Sequence, residues 1–120
     1  MKQNLIQDKS FNFSILSIEL YKDLSKNKEF ILSKQFLRSA TSIGANVNEA
    51  IAGYSKKDFT SKMSIASKEA RESLYWIQLI EASNFISYDY DTLKKECSSI
   101  INILTSIVKT SQLKLNNENF

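Results

Sequence analysis

Apolar side chains recur at steps of three and four residues over four long stretches, and each stretch predicts a helix. The clearest runs from Phe36 to Tyr54, where Phe36, Ala40, Ile43, Val47, Ile51 and Tyr54 fall on one side as a core-facing stripe. Well round the same helix, Gln35, Arg38, Ser42, Asn46 and Glu49 form a polar stripe of mixed sign at the same spacing. Two ordered faces predict two different neighbours. In the next stretch Phe59, Met63, Ala66, Ala70, Ser73, Ile77 and Ile80 alternate steps of four and three, a heptad-like seam with small residues at its centre. It predicts a helix over about 56–84, roughly 43 Å long at 1.5 Å per residue. The small centre of this helix can meet the small centre of the one before it.

The two outer stretches complete the set. From Ser10 to about Lys26 the apolar residues divide into two groups: Phe11, Ile15 and Ile18 on one side, Phe13, Leu16, Leu20 and Leu24 on the other. A helix with water on one face does not carry two apolar sides. The third stretch has a second side as well, in Ile65, Tyr75, Trp76 and Leu79. A bundle of this length has too few helices to surround one of its own. Phe11, Ile15, Ile18, Ile65, Tyr75, Trp76 and Leu79 are therefore candidates for contact with another subunit. The last helix, about 91–111, carries Leu93, Cys97, Ile100, Leu104 and Ile107, and the tail over 115–120 loses periodicity and is expected to fray.

Turn chemistry sets the boundaries. Ser25 to Glu29 is short and charged, as a loop between antiparallel helices should be, and the second helix is expected over about 30–52. Gly53 stands where a helix C-terminal glycine belongs, and Ser55 followed by Asp58 resembles a capping box. Ser87, Asp89 and Asp91 are all plausible caps for the last helix. Gly44, inside the second helix, points to close contact with a neighbour.

Composition narrows the function classes. With 120 residues, no proline and two glycines, the chain reads as one all-α domain over 1–120. The start turns acidic before an apolar signal segment could form, and no stretch is apolar enough to span a membrane, so a cytoplasmic location is the default expectation. There is no histidine, and the single cysteine, Cys97, lies on an apolar stripe, which predicts a buried, inert thiol. Without histidine a bundle loses its commonest metal ligand and general base, leaving only an all-carboxylate arrangement of Glu49, Glu69 and Glu72. No catalytic, cofactor or metal site and no small-molecule substrate is expected. Arg38, Ser42, Asn46 and Glu49 instead read as a hydrogen-bonded network between helices, joined by Glu69 and Glu72. The net charge of +3 permits nucleic-acid contact through Lys56, Lys57, Lys62, Lys68 and Arg71, with Lys22, Lys26, Lys28 and Lys34 at the other end.

Lys9 to Phe11, Ser33 to Ser39, Thr41 to Asn46 with Glu49 and Ala50, and Asp58, Phe59, Lys62, Ile65, Ala66, Lys68 to Ala70, Glu72, Tyr75 and Trp76 together carry a resemblance. Over about residues 9–110 the chain resembles the bacterial four-helix bundle protein family, which includes proteins encoded within intervening sequences of 23S ribosomal RNA genes. Many members have proline where this chain has Gly44. The resemblance implies an antiparallel up-down-up-down, left-handed four-helix bundle and a ring-shaped homopentamer, and it does not imply an enzyme. The accessory protein of diversity-generating retroelements is similar in fold and associates with nucleic acid. The expected function is a non-enzymatic oligomeric scaffold, and the alternative is a nucleic-acid-binding accessory protein.

Overall fold

A computed structural model describes residues 2–118, with side chains described from 5 to 117. The described residues form four helices, α1 (Lys2–Lys26), α2 (Leu32–Ile51), α3 (Lys56–Ser83) and α4 (Tyr90–Glu118), joined by short connections. α1 packs on α2 and α4, α3 packs on α2 and α4, and the backbones of the diagonal pairs stay more than 8 Å apart at their Cα atoms. That is an up-down-up-down square in which the α1–α4 side is the most sparsely packed. The body measures 55 × 24 × 21 Å.

The core is one contiguous cluster. α3 contributes Met63, Ala66, Ala70, Ile77 and Ile80, and α4 contributes Leu93, Cys97, Ile100 and Leu104, in the expected register. Small residues face each other at the α2–α3 centre, where the Ser73 Oγ lies 3.0 Å from the Ser39 Oγ. Both hydroxyls also bond within their own helices, Ser39 to the Phe36 carbonyl and Ser73 to the Glu69 carbonyl, so neither is an orphan in an apolar core.

Several boundaries differ from expectation. α1 starts at Lys2 rather than near residue 10, because the core stripe is Ile6, Ser10, Phe13, Ser17, Leu20 and Leu24. Two of those positions are serines that a count of apolar residues passes over. Leu16, expected in that stripe, is partly exposed. On α2 the stripe ends with Val47 and Ala50, while Ile51 turns outward and Tyr54 is fully exposed. Successive steps of four advance 40° beyond a full turn, which rotates Ile51 off the core face, and Tyr54 lies past the end of the helix. α4 stays helical through Glu118, where fraying was expected from residue 115, since nothing in its sequence stops it. Asn119 and Phe120 lie outside the described residues.

The turns are made by other residues than the glycines. No glycine has positive φ; the left-handed cap of α3 is Asn84, at φ 57°. Gly53 is closely approached: a Cβ there would displace the Asp58 carboxylate and lie 3.1 Å from the Ala50 carbonyl oxygen. Ser55 caps α3 as expected, accepting from the Asp58 N–H at 3.0 Å. α4 takes Asp89 as its cap, accepting from the Thr92 N–H at 3.2 Å. Gly44 lies against α1, where a Cβ would meet Ser10 at 3.6 Å, an ordinary contact. α2 begins at Leu32, and Glu29, expected in a solvated loop, is buried above its first turn.

Candidate interaction surfaces

Arg38 projects from α2 toward α3 and reaches two carboxylates there. Its guanidinium makes a two-oxygen contact with Glu72, at 3.0 Å to each, and approaches Glu69 at 3.4 Å. The hydrogen bond from Glu72 and the charge of Glu69 raise the guanidinium's already high pKa. Glu72 also accepts from the Trp76 indole at 3.3 Å, so one carboxylate ties α2 to the aromatic pair of α3, in which Tyr75 and Trp76 meet edge to face. The remaining polar stripe does not extend this cluster. Ser42 and Asn46 bond to backbone carbonyls one turn back on α2, and Glu49 pairs with Lys62 at 3.4 Å. The stripe is thus two separate ionic ties across the α2–α3 seam.

This arrangement offers little to a metal or a substrate. Glu69 and Glu72 converge on an arginine, Glu49 turns to a lysine, and no acidic or cysteine group among the described residues is placed to hold an ion. Cys97 is fully buried, its thiol 3.2 Å from the Ala70 carbonyl, and burial pushes its pKa up to about 12. A thiol so protonated is a poor nucleophile. Among the described residues no helix is long and apolar enough to cross a membrane.

Two apolar patches outside the core lie on α1 and α3, and further exposed apolar residues, Phe30, Ile31 and Phe85, lie in the connections between helices. Phe11 is 64% exposed and Ile15 47%, with Ile18 half-buried beside them on α1. On α3, Tyr75 is 56% exposed and Ile65 39%, with Leu79 half-buried; Trp76 is half-buried and drawn toward α2 by Glu72. Because α1 and α3 occupy diagonal corners, the patches face different sides of the bundle. Their heights can be read from the cross-contacts. Ser10 lies level with Gly44, and Ser39 level with Ser73. At equal rise in antiparallel helices, Ser10 is therefore roughly level with Lys68. Phe11 to Ile18 on α1 then stand beside the middle of the span from Ile65 to Leu79 on α3.

Phe11 also borders a shallow groove between α1 and α2, lined with Gln7, Ser10, Ser14, Thr41, Gly44 and Ala45. The basic candidates are dispersed. Lys62 is held by Glu49, Arg71 donates to Thr105 at 2.9 Å, and Lys57 and Lys68 stand exposed. At the opposite end Lys22 pairs loosely with Glu19 at 3.8 Å, and Lys26, Lys28 and Lys34 are exposed around the buried Glu29. At the ends of the bundle, the exposure of Tyr54 and the burial of Glu29 escaped the sequence reading. Glu29 sits four residues before Ser33 at the head of a helical pattern, a signal that could have marked it as a cap.

The chain matches the model of one family, the 23S rRNA-intervening sequence proteins, over residues 2–106. A solved structure from Bacteroides thetaiotaomicron, described as a protein of unknown function from the S23 ribosomal protein family, is 43% identical. The match covers 91% of this chain and 99% of that one, with a TM-score of 0.86. No curated protein matches.

Proposed function

Taking as premise that the chain belongs to the 23S rRNA-intervening sequence protein family, we propose that it is a non-enzymatic scaffold that works as a ring-shaped homo-oligomer. The observation carrying this reading is the pair of apolar patches at equal height on diagonal corners. A two-fold dimer would use one patch twice and leave the other in water. Joining the α1 patch of one copy to the α3 patch of the next uses both, and such head-to-tail contact generates rings or filaments. Equal height lets neighbouring parallel bundles stand side by side without an axial offset, as a closed ring requires. Closure at five subunits rests on the family resemblance alone.

Assembly also accounts for a polar outer face on α4, where Lys95, Ser98, Asn102 and Ser106 are all exposed. Light scattering coupled to gel filtration tests the proposal. The expected mass is five times the 13.7 kDa of one chain. A monomer at tens of micromolar would overturn the reading.

A further inference from the structure

We infer that the α2–α3 end of the bundle binds a segment of single-stranded nucleic acid, one base stacking on Tyr54 while adjacent phosphates meet Lys57 and Lys114. Tyr54 follows the end of α2 and is fully exposed, its ring untouched by the core. It borders a pocket of about 390 Å³ whose apolar wall is Ala50, Ile51 and Phe59 and whose rim holds Lys56 and Lys114. Lys57 follows Lys56 on the exposed surface of the first turn of α3. Asp58 is half-buried and its carboxylate lies against Gly53, at the wall of the same pocket.

An exposed aromatic ring beside clustered lysines matches what an unpaired strand requires: a π-face for a base and cations for its backbone. A duplex keeps its bases stacked on each other and cannot offer one to Tyr54. The opposite end of the bundle makes the contrast. There Lys22, Lys26, Lys28 and Lys34 are interspersed with Glu19, Asp23, Glu81, Asp89 and Asp91, and the pocket that Phe85 borders is lined by Glu81 and by no lysine or arginine. The site is complete within one chain and does not depend on assembly. A ring with parallel bundles would place all copies of it on one side and raise the apparent affinity.

Fluorescence anisotropy with the full chain tests it, using labelled oligouridylate, oligothymidylate and a duplex of the same length across a salt series. The expected result is tighter binding of the single strands. Tyr54→Ala should weaken it about 5- to 30-fold with the salt dependence unchanged, because stacking is uncharged. Lys57→Ala should reduce the slope of log affinity against log salt by about one phosphate contact. Lys28→Ala, at the far end, should change neither. Gel filtration of Tyr54→Ala should give the mass of the unaltered protein, which separates loss of binding from loss of assembly. Equal affinity for the duplex with no effect of Tyr54→Ala would reduce the site to general charge attraction and overturn the inference. Absence of binding at tens of micromolar in low salt, or binding of anionic phosphatidylglycerol vesicles alone, would overturn it too.

Discussion

Gly44 is fully helical and makes no contact that demands its missing side chain. A glycine in a helix interior costs about 1 kcal/mol relative to alanine. A Cβ at this position would sit 3.6 Å from Ser10, an ordinary contact, so Gly44→Ala should raise stability by up to ~1 kcal/mol and the melting temperature by a few degrees. Thermal unfolding followed by circular dichroism reads the sign. A lower melting temperature would mean that α1 and α2 approach more closely than their Ser10–Gly44 contact indicates. The sequence marked this glycine as a place of close packing but could not name the neighbour, because spacing along one helix says nothing of which helix lies across from it. Tyr54 was misplaced for a related reason. A helical wheel extends for as long as one draws it, and only the chain's exit at Gly53 decides that residue 54 is no longer on it.

At the scale of the element, α2 owes its start to Glu29, whose carboxylate accepts the Ser33 N–H at 2.7 Å and the Ile31 N–H at 3.2 Å. Ser33 returns its hydroxyl to the Glu29 carbonyl at 2.8 Å, closing the turn. Burial pushes the Glu29 pKa upward, but the Ser33, Leu32 and Ile31 amides with the Ser33 hydroxyl outweigh it and hold the carboxyl below its ordinary value. A group whose folded pKa is depressed adds stability above its unfolded pKa and loses it as pH falls through the folded value. Glu29→Gln should therefore cost about 1 kcal/mol near pH 7, as lost caps do, and progressively less as the carboxylate range is crossed in acid. Urea unfolding at a series of pH values measures both ends; an equal loss at pH 7 and pH 3 would remove the carboxylate's charge from the account. The helices themselves were legible, since four apolar periodicities dominate everything else in the chain. Their ends were not: the first two turns of α1 are held by Ile6 and Ser10, and a lone isoleucine with a serine makes too short a pattern to recognise.

At the scale of the whole molecule, the second apolar faces of α1 and α3 were visible as stripes, whereas their equal height was not. It depends on the registers at which Ser10 meets Gly44 and Ser39 meets Ser73. A head-to-tail ring makes a prediction that no two-fold dimer shares. Phe11→Glu spoils the α1 patch and leaves the α3 patch intact; Tyr75→Glu does the reverse. Both side chains are more than half exposed, so each variant should fold within about 0.5 kcal/mol of the unaltered chain. Each alone should run as a monomer, because no copy in the sample can offer the patch that its neighbour needs, and a buried glutamate without a partner is costly. Mixed in equal amounts, they should form a one-to-one dimer of twice 13.7 kDa, joined through the one intact pair of patches, and stop there because both remaining patches are spoiled. If Tyr75→Glu kept the mass of the unaltered protein while Phe11→Glu fell to monomer, the α1 patch would be meeting itself and the ring would be wrong. Light scattering on the two variants and their mixture decides between these arrangements, and circular dichroism on the same samples confirms that the bundle has survived each change.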